Sequence, residues 1–365
     1  MNNVDKLAQM GTSTWLDDLS RQRLQSGNLR ELIDTKSVVG VTTNPTIFAK
    51  AMSQGTAYDT DIAKLKEQGA AVDEAVYSLA IDDVRAACDE LHDVFIDSNG
   101  EDGRVSIEVD PRISDDAEAT LNQTRDLWKT VDRPNAMIKI PATDGSLQAI
   151  EDALAEGICV NVTLIFSLKR YVKVVDRYKE GIRRAEAAGL DVTKIFSVAS
   201  IFISRIDTEV DKRLEEIGTP EALELRGQVG LAEAKLCYGF FESAFLHPER
   251  LPAPDPLPAG ANFQRPLWAS TGVKNPEYPA TLYVTELAGP ETVNTMPEAT
   301  LDAFLDADVR LGNALTGMLE TANSTCGRAG QLVSLEEVYE QLEQEGVDKF
   351  VASWDELLET MSAKL

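Results

Sequence analysis

The most informative residue in this sequence is a lysine in an otherwise apolar segment. In AMIKIP (136–141), Ala136, Ile138 and Ile140 alternate with Met137 and Lys139, the period of a β-strand. Lysine is almost never fully buried without a partner. Three readings fit this segment: a side chain snorkelling to solvent from a strand end, a structural pair with Glu108, or a functional amine. In the functional reading, desolvation lowers the amine's pKa until a neutral fraction can attack a ketone and form a Schiff base. Other strand-like segments carry polar residues in the same way. In RVSIEVD, Val105, Ile107 and Val109 alternate with Ser106, Glu108 and Asp110. In ICVNVT, Ile158, Val160 and Val162 alternate with Cys159, Asn161 and Thr163. Asp17 follows Trp15-Leu16, and Asn44 follows Thr42-Thr43. A satisfied Asn or Thr inside a sheet is common. Five strands contributing Asp17, Asn44, Glu108, Lys139, Asn161 and Thr163 point instead to an acid/base site around an amine.

A second set of residues reads as an anion site. SVASIFISR (197–205) places Ser200 where a helix is expected to open and presents Arg205, while WASTGVK (268–274) offers Ser270 and Lys274. Helix N-terminal amides together with a cation bind phosphate. An ordinary cap with surface cations is the competing reading, and for Lys274 alone it is the stronger one.

The elements that would position these residues alternate. Strands are predicted near Ser13–Asp17, Val39–Thr43, Arg104–Val109, Ala136–Ile140, Ile158–Thr163, Ile195–Ala199, Pro266–Ser270 and Thr292–Met296. Helical spacing occupies Tyr58–Gln68, Val72–Asp93, Ala117–Lys129, Leu168–Ala188 and Pro220–Phe245. Eight strands alternating with helices predict a closed (β/α)8 TIM barrel with extra helices, in one domain spanning 1–365; an open doubly wound sheet is the alternative. Polar residues near the C-terminal strand ends then lie where such barrels build their sites. The long segment between strands two and three predicts an inserted helix. Pro248, Pro252, Pro254, Pro256 and Pro258 make Leu246–Gln264 an extended surface loop. After Ser334, Leu335, Val338 and Leu342, then Phe350, Trp354, Leu357 and Leu358, predict two helices packed on the barrel over about 335–365.

Composition excludes whole classes of function. The 365 residues carry a net charge of −26, which repels nucleic acid and anionic membranes over most of the surface. Four scattered cysteines (Cys88, Cys159, Cys237, Cys326) and two histidines (His92, His247) indicate neither a disulfide scaffold nor a zinc centre, and argue against a Ser-His-Asp triad. The N-terminal segment MNNVDKLAQMGTSTW does not read as a basic apolar signal, and no apolar run reaches membrane-spanning length. The expectation is a cytoplasmic enzyme or binding protein.

The order of these segments strongly resembles the transaldolase family. WLDDLSR carries Asp17, GVTTNPTIF Asn44, GRVSIEVDPR Glu108 and MIKIPATDG Lys139. GICVNVTLIFS carries Asn161 and Thr163, SIFISRID Ser200 and Arg205, and LWASTGVKNP Ser270. The resemblance implies transfer of a dihydroxyacetone unit between phosphorylated sugars in the pentose phosphate pathway. The usual substrates are sedoheptulose 7-phosphate and glyceraldehyde 3-phosphate, giving erythrose 4-phosphate and fructose 6-phosphate. It also implies a Schiff base at Lys139, Asp17 as base for the C4 hydroxyl, and Glu108 with a Thr163-held water shuttling protons. Asn44 and Asn161 would hold donor hydroxyls, Ser200 and Arg205 the phosphate, and no metal or organic cofactor would be needed. Some members place an arginine just after the serine matching Ser270; here Lys274 is the cation available. A fructose-6-phosphate aldolase-type lyase is the runner-up, and a non-catalytic sugar-phosphate-binding barrel a third reading. Monomer and homodimer both stay open.

Overall fold

The computed structural model describes residues 2–251 and 253–365; Met1 and Pro252 lie outside the described residues. Eight parallel strands close into a barrel in chain order: β1 (Thr12–Leu16), β2 (Gly40–Val41), β3 (Arg104–Glu108), β4 (Ala136–Pro141), β5 (Val160–Ile165), β6 (Ser197–Phe202), β7 (Gln264–Ala269) and β8 (Thr292–Met296). The expected (β/α)8 barrel is therefore observed, and the open sheet is not. The strand ends differ from expectation by up to three residues, most at β6.

Side-chain alternation sorts the core into two layers. Val105, Ile107, Ile138, Ile140, Val160 and Val162 point outward and join the helices in one apolar cluster. Trp15, Met137, Cys159, Val198, Leu267 and Val293 fill the interior toward the strand starts. A Cβ on Gly40 would lie 2.6 Å from the Trp15 ring, so only glycine lets that indole lie across β2. The Trp15 Nε1–H donates to Asp102 Oδ1 at 2.9 Å, and Asp102 also pairs with Arg265 at 3.1 Å. The lower end of the barrel is thus closed by large side chains and ion pairs.

Between β2 and β3 the chain forms four helices, Pro45–Ser53, Asp59–Gln68, Val72–Glu90 and His92–Asp97, as the length of that segment anticipated. The stretch expected as one helix over Pro220–Phe245 is broken into Pro220–Glu224 and Val229–Phe241. Gly227 turns the chain between them at φ +69°, and its missing side chain leaves room for the Tyr278 ring. The proline-rich stretch has a 3-10 turn at Pro248–Arg250, and its described residues from Leu251 to Phe263 form no helix or strand. It is nonetheless tied down: Lys179 Nζ donates to the Asp255 carbonyl at 2.6 Å and Tyr178 Oη to the Asn262 carbonyl at 2.5 Å.

The two C-terminal helices expected are instead one, Leu335–Lys364, 30 residues long. Its buried stripe runs through Val338, Leu342, Gly346, Phe350, Trp354, Leu357 and Met361, three or four residues apart throughout. Gly346 occupies the gap that made the apolar pattern look interrupted. A Cβ there would lie 3.1 Å from Leu164 and 3.4 Å from the Phe166 ring, so glycine lets the helix approach β5 closely. Further along, Ser353 Oγ meets Thr46 Oγ1 at 2.8 Å, and the Trp354 and Tyr77 rings stand 4.9 Å apart. This terminal helix lies across the C-terminal mouth of the barrel.

Candidate active site

Register assembles the centre of the site. Glu108 pairs with Lys139 across β3 and β4, and Lys139 with Asn161 across β4 and β5. Register partners on neighbouring strands send their side chains to the same face, here the interior. Lys139 is 4% exposed and Glu108 5%. Lys139 Nζ lies 3.1 Å from Glu108 Oε2 and donates to the Thr43 carbonyl at 3.1 Å. Neither Glu108 oxygen makes a well-directed hydrogen bond among the described residues, so the ion-pair contact is its principal compensation. The Phe350 ring lies 5.6 Å from Nζ and roofs the amine from the terminal helix.

A bulge in β5 shapes the next layer. Pairing with β6 slips between Val162 and Ile165, and Leu164 takes a left-handed φ of +59°. A regular strand would send Thr163 and Leu164 to opposite faces; the bulge leaves Thr163 inward and turns Leu164 inward as well. Thr163 lines the cleft, while Leu164 packs in the inner cluster with Phe166, Leu342 and Phe350. The buried Thr163 hydroxyl has no hydrogen-bond partner among the described residues. Below it, Ser200 Oγ donates to Asn161 Oδ1 at 2.7 Å, and Asn161 Nδ2 donates to Ser106 Oγ at 3.0 Å. Ser200 therefore does not open a helix as expected. It sits inside β6, and the following helix begins at Ser204.

Asp17 follows directly on β1 and accepts from Thr42 Oγ1 at 2.8 Å; Thr42 in turn meets Thr295 Oγ1 at 2.6 Å. Asn44 caps the helix Pro45–Ser53 by accepting from the Ile47 amide at 3.0 Å, and it lines the cleft. Burial drives the electrostatics. It pushes the Asp17 carboxyl up, against the pull of the Lys139 charge and the Thr42 hydroxyl. Burial also raises Glu108 to about 7, with Lys139 opposing and Asp17 adding to the rise.

Asp17, Asn44, Lys139, Thr163, Ser200, Arg205, Ser270 and Lys274 line a single cleft of about 250 Å3. Glu108 and Asn161 lie immediately beneath, through Lys139 and Ser200. Arg205 stacks over the Phe202 ring at 5.3 Å, and burial lowers its pKa against the pull of Glu345. Ser270, at φ +55°, meets Ser204 Oγ at 2.9 Å. The lining residues not anticipated from sequence as part of the site include Thr42, Thr295, Lys349 and Phe350. The two threonines stood within strand motifs and carried a readable signal. Lys349 and Phe350 come from the terminal helix, where no local pattern announces them. A hollow of about 310 Å3 at the other end of the barrel holds none of these residues, and its Arg265 is committed to Glu101 and Asp102. Among the described residues no three His, Cys, Asp or Glu side chains are grouped to hold a metal, and no helix is long and apolar enough to cross a membrane.

The chain is 55% identical to proteins named Transaldolase from Mycobacterium tuberculosis (strain ATCC 25618 / H37Rv) and Mycobacterium bovis (strain BCG / Pasteur 1173P2), over all of this chain and 97% of each of those. It is 54% identical to the Transaldolase of Mycobacterium leprae (strain TN), over 100% of this chain and 96% of that protein. The family described as Transaldolase/Fructose-6-phosphate aldolase matches residues 14–361, a span that takes in the cleft residues from all the strands and the terminal helix. The chain belongs to the transaldolase/fructose-6-phosphate aldolase family.

Proposed function

We propose that this barrel, working as one domain with its terminal helix, transfers a dihydroxyacetone unit from a ketose phosphate to an aldose phosphate through an imine on Lys139. Sedoheptulose 7-phosphate or fructose 6-phosphate is the donor, and glyceraldehyde 3-phosphate or erythrose 4-phosphate the acceptor, in the non-oxidative pentose phosphate pathway. The observation that carries this reading is the buried Lys139 amine, 3.1 Å from Glu108 and open to the cleft that Asp17 lines.

Glu108, with a carboxyl near neutrality, takes the proton that leaves Nζ nucleophilic. The amine lone pair attacks the C2 carbonyl, and the carbinolamine hydroxyl leaves as water with a proton returned by Glu108. A water between Glu108 and the unpartnered Thr163 hydroxyl would relay that proton. Asp17 then removes the C4 hydroxyl proton, the C3–C4 bond breaks, and its electron pair neutralises the iminium to an enamine. The aldose leaves, the enamine attacks the acceptor aldehyde, and Asp17 gives its proton back to the new hydroxyl. The iminium is itself the electron sink, so the chemistry calls for no metal or organic cofactor. Asn44 and the Asn161–Ser200 pair suit the donor's hydroxyls, and Arg205 and Lys274 with Ser270 suit the phosphate. Four free cysteines support a cytoplasmic setting.

Borohydride reduction in the presence of fructose 6-phosphate tests the reading: the adduct is expected on Lys139. Without an acceptor, fructose 6-phosphate should give one stoichiometric burst. Continuous turnover releasing dihydroxyacetone would make the protein a lyase.

A further inference from the structure

We propose that Lys349, carried by the terminal helix, is a third phosphate-binding cation, so that the substrate phosphate is held jointly by the barrel and by the helix that roofs the imine lysine. This rests on the reading of Arg205 and Lys274 as phosphate ligands and extends it to a different part of the chain. Lys349 lines the same cleft as Arg205, Ser270 and Lys274. It follows directly from the helix docking, since the adjacent Phe350 is the stripe residue buried over Lys139.

The neighbouring acids do not engage it. Glu345 precedes Lys349 by one helical turn, the favourable order for an i,i+4 ion pair. Glu345 instead accepts from Gln341 Nε2 at 2.8 Å, and Asp348 accepts from Gln344 Nε2 at 2.9 Å. Among the described residues, Lys349, Lys274 and Arg205 make no ion pair and no side-chain hydrogen bond. Burial, with the like charges of Arg205 and Lys274, lowers the pKa of Lys349; Glu345 acts on Arg205 from a distance without pairing with it. Three such cations converge in a protein of net charge −26, although abundant carboxylates were at hand to neutralise them. A dianion with three terminal oxygens is the ligand that such a set relieves: a guanidinium fork from Arg205 and two ammonium groups. Because Lys349 and Phe350 are adjacent, phosphate held by one draws the other over the imine.

The test compares Lys349→Ala, Lys349→Arg and Arg205→Ala at constant ionic strength. It reads KM and kcat with fructose 6-phosphate, Ki for inorganic phosphate as competitor, and Tm. Lys349→Ala is expected to raise KM and the phosphate Ki together by about tenfold, the scale of one charge-assisted hydrogen bond. The loss should fall on KM more than on kcat, and Lys349→Arg should restore most of it. If Arg205→Ala raises both constants while Lys349→Ala shifts neither beyond twofold, Lys349 is no ligand and the phosphate reading survives without it. If neither variant moves the phosphate Ki, the phosphate site itself is misassigned and the proposal fails with it. A drop in Tm and kcat with unchanged Ki would make Lys349 a structural residue, which also overturns the proposal.

Discussion

Lys139 and Glu108 hold their charged ends 3.1 Å apart because β3 and β4 pair them in register, with both side chains buried. Removing charge from water at such a site is costly and only partly repaid by the pair. The carboxyl accordingly rises to about 7, which makes Glu108 a proton acceptor and donor at neutral pH rather than a fixed anion. A carboxyl so poised can both take and return a proton at neutral pH, as imine formation and hydrolysis both require.

Lys139→Ala should fold and form no imine. The loss of the positive neighbour leaves Glu108 free to take a proton, which limits the cost of the broken pair. Lys139→Arg should be equally inactive, since a guanidinium stays protonated. Mass mapping after borohydride reduction with fructose 6-phosphate checks both, and an adduct on another lysine would refute the assignment.

The two carboxylates should separate in their defects. Asp17→Asn is expected to accumulate the reducible imine yet fail to break the carbon chain. Glu108→Gln should slow the appearance of the imine itself. Losses of about 10²–10⁴-fold are expected for either acid/base group. Rapid-quench trapping distinguishes the steps, and the same early block in both variants would contradict the division.

Glu108 should also leave a mark on stability. Its folded pKa of about 7 lies above the ordinary glutamate value of 4.5, so the folded state binds the extra proton between those values. Below about 4.5 both states are protonated. As pH rises toward 7, ionisation costs the folded state more than the unfolded one, and stability falls. Glu108→Gln should flatten that part of the pH–stability curve, whatever constant offset the loss of the Lys139 pair adds. Denaturant titrations at pH 4.5, 6 and 7.5 measure it; an unchanged slope would mean that the carboxyl is not raised.

Gly346 gives a test of the terminal helix. With Leu164 only 3.1 Å from a Cβ at this position, Gly346→Leu should force the helix off β5 and cost about 1–3 kcal/mol. Phe350 would then move from Lys139, so kcat should fall along with Tm. A variant with wild-type kcat despite a lower Tm would show that the helix does not need to close over the amine.

The period-two alternation in RVSIEVD, AMIKIP and ICVNVT is enough to place Glu108, Lys139 and Asn161 on the inner face, because successive Cβ atoms point to opposite sides of a strand. The order of the motifs gives the family for the same local reason: each motif is a strand end with its own polar residues. What alternation does not contain is the offset between strands. Register made Glu108 and Lys139 partners, and the bulge at Leu164 decided that Leu164 turns inward beside Thr163. Ser200 looked like a helix opener because strand and helix signals overlap in SVASIFISR; the extent of β6 settled it as a partner of Asn161. The terminal helix was readable as helical, but not as a single one, since Gly346 looks like a break until Leu164 and Phe166 are packed against it. The meeting of Lys139 with Phe350, more than two hundred residues apart, comes from the docking of a complete helix on a complete barrel, a relation that no spacing along the chain records.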